Sequence, residues 1–364
     1  MPYMRLCIAT PLYPPESGGP ATYARILEQR LPAHGFDVSL VKFGDIRHLP
    51  KIVRHIAYFF RVLKAGKRAD VILALDPVSV GLPAALAAGL LRKPFVVKIV
   101  GDYAWEQGVQ RSGIDMPLDL FVHARRVPFF IFFLRSIQRF VARRARTILV
   151  PSHYLKGIIT AWGIDPTKTE VVYNALSVDV PLSSKHLPPH TIVSVARLVP
   201  WKGMRGLIDA IVLVRAQVPD ANLVIIGDGP ERAALETYAT DAAPGLVRFY
   251  GALPHDETLS YIKAADTFVL NSTYEGLSHV LIEALLLGRP VVATSAGGNP
   301  ELITNEENGL LVPVGDTSAL AQAIVRVLTD ASLAAHLSQQ APMIGERFAL
   351  PAMLEQTAAI LSRV

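Results

Sequence analysis

The sequence holds few of the features that mark secreted, membrane-spanning or dinucleotide-dependent proteins. Its 364 residues include a single cysteine, Cys7, which has no partner for an internal disulfide. A reducing, cytoplasmic setting is therefore expected. No uninterrupted apolar run approaches the ~18 residues that a membrane-spanning helix needs, and no cleavable apolar segment precedes the first predicted strand. The absence of a G-x-G-x-x-G motif disfavours an NAD enzyme.

Acidic residues are missing from two long segments of the first half of the chain. Residues 47–68 and 125–146 each hold seven Lys or Arg and no Asp or Glu. Residues 1–185 carry 25 cations and 13 anions, a net charge of +12, whereas residues 186–364 carry 11 and 18, a net charge of −7. These values sum to the formal charge of +5. An asymmetry of this size points to an anionic partner for the first half.

Both basic segments interleave apolar side chains with the cations at near-helical spacing. Basic amphipathic helices of this kind bind anionic membrane surfaces, so 47–68 and 125–146 are the predicted membrane contacts. The other interpretation is that the apolar residues 129–134 belong to the domain core and the arginines form a solvated face. Nucleic acid is disfavoured as a partner, because neither segment resembles a known nucleic-acid-reading module.

Short apolar runs alternate with longer amphipathic stretches along the whole chain, which is typical of doubly wound, mostly parallel α/β sheets. The alternation predicts two such domains, 1–178 and 190–348, with a linker at 179–189. A last helix at 349–364 could dock back on the first domain. The predicted strands are 5–10, 37–42, 70–75, 95–100, 147–150, 169–173, 191–196, 222–226, 246–250, 267–270, 290–294 and 309–312.

Ligands of such sheets bind beyond the carboxyl ends of the strands, so the loops after the strands are the expected sites of chemistry. After the first strand, Gly18 and Gly19 can offer backbone amides to a phosphate, although glycine also simply forms turns. After the fourth strand comes Asp102, which either caps the following turn or takes part in catalysis.

The segment 271–298, NSTYEGLSHVLIEALLLGRPVVATSAGG, predicts a loop that runs from a strand into a buried helix. The first amides of a helix have no intrahelical partner and carry partial positive charge, so they bind anions. Glu275 and Glu283 flank this helix start, and Gly276 allows close approach of a ligand. The arrangement fits a nucleotide sugar, which has hydroxyls at both ends and phosphate between them. Either acid alone would also fit a solvated surface.

A second group of ligand-type residues follows the first strand of the second domain. Arg197 and Lys202 flank that loop five residues apart, so both can reach one diphosphate, arginine as a planar fork and lysine as a point charge. Gly227 and Leu253 lie in the next two loops, which are placed to cradle ribose and base. Each cation alone could be an ordinary exposed side chain.

Taken in order, these motifs resemble the retaining GT-B glycosyltransferases of family 4, the glycosyl transferases group 1, across essentially the whole chain. Any one motif alone would be weak, but the ordered set is specific. The resemblance rests on the Gly18-Gly19 loop, Arg197, Lys202-Gly203, the Gly227-Asp228-Gly229 loop, the segment EGLSHVLIE from Glu275 to Glu283, and Gly297-Gly298.

The resemblance implies an α/β protein of the GT-B type, whose two Rossmann-like, doubly wound domains face each other across a deep cleft. The donor, a nucleotide-diphosphate sugar, would be held mainly by the second domain. Arg197 and Lys202 would bind its diphosphate, Glu283 its ribose hydroxyls and Glu275 its sugar. Further donor contacts are implied for the backbone at Gly276, Leu277 and Ser278, and for Gly18 or Gly19 as the cleft closes.

The family is thought to let the acceptor attack on the face that the diphosphate leaves, so that no dedicated protein base is required. The chain contains no D-x-D motif, hence a metal that bridges the diphosphate is not indicated, and no cofactor is expected beside the nucleotide-sugar substrate. Many members carry a histidine after the fourth strand, where this chain has none. Asp102 is the substitute candidate for orienting the acceptor, which would be a glycan or a lipid-linked sugar.

Two other functions stay open on the sequence alone. One is an epimerase on the same fold, which would change the nucleotide sugar without an acceptor. The other is a non-catalytic nucleotide-sugar-binding protein. The spacing of Glu275 and Glu283 favours transfer, and the presence of Arg197 and Lys202 beside them argues against a role in binding alone.

Overall fold

The computed structural model describes residues 3–16, 18–176, 178 and 182–364. The chain forms two compact units, residues 1–174 with 350–364 (unit 1) and residues 175–349 (unit 2). Each unit is an α/β domain built on a parallel sheet with flanking helices. This confirms the predicted fold class.

The described part of unit 1 contains a six-stranded sheet. Its strands are β1 (Met4–Thr10), β2 (Phe36–Lys42), β3 (Val71–Ala74), β4 (Phe95–Lys98), β5 (Thr147–Val150) and β6 (Thr169–Val171). They lie in the order β2-β1-β3-β4-β5-β6, and each neighbouring pair is parallel. The helices between them are α1 (Gly19–Arg30), α2 (Lys51–Gly66), α3 (Gly81–Leu91), α4 (Tyr103–Ser112), α5 (Leu118–Phe121), α6 (Phe129–Arg144) and α7 (His153–Ala161).

The described part of unit 2 repeats this plan. Its strands are β7 (Thr191–Val195), β8 (Asn222–Ile226), β9 (Val247–Gly251), β10 (Thr267–Leu270), β11 (Val291–Thr294) and β12 (Leu310–Val312). They lie in the order β12-β11-β10-β7-β8-β9, again all parallel. The helices are α8 (Met204–Arg215), α9 (Arg232–Ala242), α10 (His255–Ala264), α11 (His279–Leu286), α12 (Thr317–Thr329) and α13 (Ala331–Gln340).

The central strands of both sheets are strongly apolar, because helices cover both faces of a parallel sheet. β3, β4 and β10 are buried at every position. One of these positions is a lysine, Lys98 at the end of β4, which is 2% exposed. Its Nζ lies 3.9 Å from the centroid of the Tyr23 ring and has no hydrogen-bond partner among the described residues. Burial lowers the pKa of Lys98 to about 7.

The last helix, α14 (Leu350–Arg363), belongs to unit 1 although it follows unit 2 in the chain. It buries an apolar face that includes Met353, Leu354 and Leu361. Near the middle of this face, the Thr357 hydroxyl lies 3.4 Å from the hydroxyl of Tyr23 on α1. The helix therefore completes the core of unit 1.

Part of the predicted linker at 179–189 falls on residues 179–181, which lie outside the described residues. The following residues are held by α10. The Ser183 amide donates to Ser260 Oγ at 3.0 Å, and Lys185 Nζ lies 2.7 Å from Glu257 Oε1. None of the helices within the described ranges is both long and apolar enough to cross a bilayer.

Candidate functional site

The loops that follow β7 and β8 touch through their backbones. The Leu198 amide donates to the Asp228 carbonyl at 2.9 Å. A Cβ on Gly227 would lie 1.9 Å from the carbonyl oxygen of Ala196, and φ of Gly227 is +133°. Glycine is required here by close approach as well as by conformation. This contact fixes the loop that carries Arg197.

A second backbone contact joins the loop after β10 to the loop after β11. The Gly298 amide donates to the Glu275 carbonyl at 2.9 Å. A Cβ on Gly297 would lie 2.0 Å from that carbonyl oxygen, and φ of Gly297 is +52°. The two ends of the 271–298 motif therefore meet in space, and the glycine pair supports the position of Glu275.

Glu275 lies at the centre of a small polar cluster in unit 2. Lys202 Nζ is 2.5 Å from Glu275 Oε1, and the Ser272 hydroxyl donates to the same oxygen at 2.6 Å. Glu275 is 6% exposed, so the cluster is largely shielded from water. The Thr273 amide donates to the Trp201 carbonyl at 2.8 Å, which ties the lysine loop to the glutamate loop. A buried ion pair with a further hydrogen bond is a geometrically defined site.

Arg197 lies in the loop after β7 with an exposed side chain. It forms no ion pair within the described residues. The five-residue separation therefore places one cation, Lys202, on Glu275 and leaves the other at the surface of the same loop. Leu253, in the loop after β9, is half-buried.

Glu283 lies on the buried side of α11 and is 8% exposed. Its Oε1 is 2.9 Å from Nε2 of His255, the first residue of α10. The hydrogen bond to Glu283 raises the pKa of His255. His255 was not among the residues predicted for the site. The available signal was its position, because His255 follows the loop that had been assigned to ribose and base.

The start of α11 is capped by its own sequence. Ser278 is the N-cap, and its Oγ accepts from the Leu281 amide at 3.4 Å. Gly276 and Leu277 precede it and are buried. One of the helix amides expected to bind a ligand therefore has a side-chain partner.

The predicted residues of unit 1 lie in two separate places. Gly18 is the N-cap residue of α1, with its carbonyl accepting from the Ala21 amide at 3.0 Å, and Gly19 is the first residue of that helix. Both glycines are exposed. Their role in donor binding stays a prediction.

Asp102 is buried at the start of α4. Its carboxylate accepts from the Trp105 amide at 2.9 Å, from Gln138 Nε2 at 3.0 Å and from Trp162 Nε1 at 3.1 Å. Burial is the largest influence on its pKa, which is raised. This geometry favours capping, the alternative that the sequence left open, and the orientation of an acceptor by Asp102 stays a prediction.

The structure thus brings the predicted donor-binding residues of the second domain into one unit and gives two of them, Lys202 and Glu275, direct contact. Those residues are Arg197, Lys202, Gly227, Leu253, Glu275, Gly276, Leu277, Ser278 and Glu283.

Two family models match the chain. Residues 183–343 match glycosyl transferases group 1, and residues 40–175 match the glycosyl transferase 4-like domain. Among solved structures, HepE of Anabaena in complex with UDP-glucose aligns over 100% of both chains, with a TM-score of 0.77 and 21% identity. The fold is therefore that of GT-B proteins, and the chain belongs to the glycosyl transferases group 1 of family 4.

Curated relatives match a smaller part of the chain. The lipopolysaccharide core biosynthesis glycosyltransferase LpsE of Rhizobium meliloti is 37% identical over 150 residues, 41% of this chain and 42% of the relative. The GDP-mannose-dependent alpha-(1-6)-phosphatidylinositol monomannoside mannosyltransferase of Mycobacterium tuberculosis is 34% identical over 148 residues, 38% of either protein. The matched part of the chain spans about two-fifths of the length of these relatives.

Proposed function

We propose that the protein is a retaining hexosyltransferase that moves a sugar from a nucleotide-diphosphate sugar to a hydroxyl of a glycan or lipid-linked acceptor. The observation that carries the proposal is the 2.5 Å contact of Lys202 with Glu275, which sets a cation suited to a diphosphate beside a carboxylate suited to sugar hydroxyls. Family membership supports it, as do the names of relatives that transfer sugars.

In the proposed reaction, the bond between the sugar C1 and the diphosphate oxygen breaks, and its electron pair stays on the diphosphate. Lys202 and Arg197 neutralise the charge that develops there. Removing one donor of this type typically costs about 3–4 kcal/mol of barrier. The acceptor oxygen bonds to C1 on the same face, and its proton passes to a diphosphate oxygen. Configuration is retained, and neither a metal ion nor a protein base is assigned a step.

The two glutamates have holding roles in this proposal. Lys202 and Ser272 both contact Oε1 of Glu275, so that, among the described residues, Oε2 is left for a sugar hydroxyl. Donor binding then requires Lys202 to share its ammonium group between Glu275 and the diphosphate. Glu283 would accept from the ribose hydroxyls while His255 holds its other side.

The proposal is tested with a panel of UDP-, GDP- and ADP-sugars, measured by calorimetric binding and by slow hydrolysis without acceptor. One nucleotide family should bind, and Glu275→Ala should lower hydrolysis of its sugar. Glu306→Ala is the matched control, because Glu306 forms an exposed ion pair with Arg326 in the same unit. An epimerised nucleotide sugar in the absence of acceptor would indicate the epimerase instead. Nucleotide binding without turnover on any acceptor would indicate a binding protein.

Stereochemistry and metal dependence need separate measurements. The anomeric configuration of the product, followed by NMR from the first turnovers, should match that of the donor. Activity should be unchanged by an excess of EDTA. Inversion of the anomer, or loss of activity that Mg²⁺ or Mn²⁺ restores, would contradict the corresponding part of the proposal.

A further inference from the structure

Helix α6 exposes several of its apolar side chains and buries two of its polar ones. Phe129, Phe130, Phe132 and Phe133, here called the phenylalanine patch, are between 48% and 84% exposed. On the same helix, Arg135 and Gln138 are buried. A helix that only covered a sheet would place these side chains the other way round.

Hydrogen bonds explain why the polar side chains are inside. Arg135 donates from its two terminal nitrogens to the carbonyls of Ala124, at 2.8 Å, and Val122, at 3.1 Å. Gln138 donates to Asp102 at 3.0 Å. Together with the buried Ile131 and Leu134, these contacts fix the orientation of α6. The phenylalanine patch therefore has no part in the core, and a cluster of exposed aromatic side chains marks an interaction surface.

A cavity of about 420 Å³ opens beside the patch. This cavity is here called the arginine pocket. Phe132 belongs both to the patch and to the pocket lining, and the polar or charged residues of the lining are His123, Arg125, Arg135, Ser136 and Arg139. No carboxylate is among the lining residues. Arg139 donates from Nη2 to the Val122 carbonyl at 3.3 Å, and its Nε is buried without a hydrogen-bond partner among the described residues. Guanidinium donors in this setting fit a phosphate group.

The other basic segment, 47–68, differs in this respect. Arg47 is paired with Glu16, and Arg61 lies 3.3 Å from Asp45. Within the described residues, the cations of 125–146 form no ion pair with a carboxylate. Of the two segments that the sequence suggested, the structure therefore favours 125–146 as the surface with charge available to an anionic partner.

We infer that the phenylalanine patch and the arginine pocket together form a docking site for an anionic phospholipid bilayer. The aromatic rings enter the boundary between headgroups and acyl chains, and a lipid phosphate enters the arginine pocket. Apolar insertion combined with cation binding is how peripheral surfaces gain stable membrane affinity. The inference goes beyond the proposed transfer reaction and does not depend on it.

The test is sedimentation of the full chain with vesicles of phosphatidylcholine alone and with 30% phosphatidylglycerol. Binding is expected only with the anionic vesicles and should weaken at high salt. The double substitution Phe129→Ser and Phe133→Ser should lower the partition coefficient at least about tenfold. Arg125→Gln, on the exposed wall of the pocket, should lower it about fivefold, and Arg139→Gln should do so as well.

Matched controls distinguish binding at this site from non-specific effects of exposed apolar side chains and of net charge. Leu86→Ser with Leu90→Ser removes exposed apolar side chains from α3, and Lys64→Gln with Lys67→Gln removes exposed cations from the last turn of α2 and the residue that follows it. Both should leave vesicle binding within about twofold. Equal effects of the control and test variants would overturn the inference.

Three other results would also overturn it. Equal binding to neutral vesicles would assign the surface to apolar insertion without a phosphate. Binding of glycerol phosphate in solution, abolished by Arg139→Gln, without vesicle binding would assign the pocket to a soluble ligand. Concentration-dependent dimers that Phe129→Ser disrupts would assign the patch to a second copy of the chain. None of these measurements needs a sugar donor, so failure here is distinct from failure of the proposed reaction.

Discussion

Lys98 in unit 1 is buried and Lys202 in unit 2 is partly buried, and the two amino groups differ in what surrounds them. Lys98 Nζ lies against the Tyr23 ring, without a hydrogen-bond partner among the described residues. Lys202 Nζ faces the Glu275 carboxylate at 2.5 Å. The first arrangement disfavours the charged form and costs stability, whereas the second sets a cation against an anion. Burial alone therefore does not determine how a lysine affects the fold, because the groups around its amino group differ.

The largest expected effect comes from removing the paired lysine. Lys202→Ala should lower sugar transfer about 10²- to 10³-fold, because one donor to the leaving diphosphate is lost. Steady-state kinetics with the donor found in the panel measures it. Lys185→Ala is the control, since Lys185 also pairs with a glutamate of unit 2, at 2.7 Å, outside the proposed site. Turnover that stays within about threefold for Lys202→Ala would remove Lys202 from the reaction.

Removing Lys98, in contrast, should improve a property of the protein, namely its stability. Lys98→Met should raise the free energy of unfolding by roughly 2 kcal/mol at pH 7. The pKa of Lys98 is lowered to about 7 in the fold, so between about pH 7 and 10 the unfolded chain binds a proton that the folded chain does not. Wild-type stability should therefore rise relative to the variant across this range. Urea unfolding at several pH values measures it, and a difference that does not change with pH would contradict the account.

The backbone support of Glu275 gives a smaller effect. Gly297→Ala would bring a Cβ to 2.0 Å from the Glu275 carbonyl oxygen, so both stability and nucleotide affinity should fall. Gly315→Ala is the matched control, because φ there is also positive, +81°, but nothing lies within 4 Å. The control should cost about 1 kcal/mol of backbone strain alone, and Gly297→Ala roughly twice that. Thermal unfolding and calorimetric binding measure the two quantities. Equal losses would show that close approach is unimportant.

The smallest effect is expected from breaking the contact between Glu283 and His255. Glu283 raises the pKa of His255, so the stability that this contact contributes is complete below about pH 6.5 and is lost as the pH rises through the folded-state pKa. The His255 side chain is more than half exposed, which limits the contribution to about 1 kcal/mol. His255→Gln should remove this pH dependence and weaken nucleotide binding a few-fold. An unchanged pH profile of unfolding would show that the contact is absent in solution.

The strands and the order of motifs were readable from the sequence for a physical reason. Strands covered on both faces are rich in apolar residues, and every predicted run overlaps a strand of one of the two sheets. The cluster around Glu275 was not readable in full. The Ser272 contact depends on the conformation of its own loop. The contact of His255 with Glu283 depends on how the start of α10 packs on α11, and no spacing rule predicts either one. The orientation of α6 was also undetermined, because residues 129–134 are all apolar and only the hydrogen bonds of Arg135 and Gln138 decide which of them face out.

The place of α14 has a consequence for how the chain is made. A ribosome releases residues 175–349, the whole of unit 2, before it releases the helix that covers Tyr23 in unit 1. Unit 2 is contiguous in sequence and can fold as it emerges from the ribosome. Unit 1 has an uncovered apolar surface until Met353, Leu354 and Leu361 have been synthesised. A chain stopped at residue 349 would keep every residue of the Lys202 site and still expose the core of its other half.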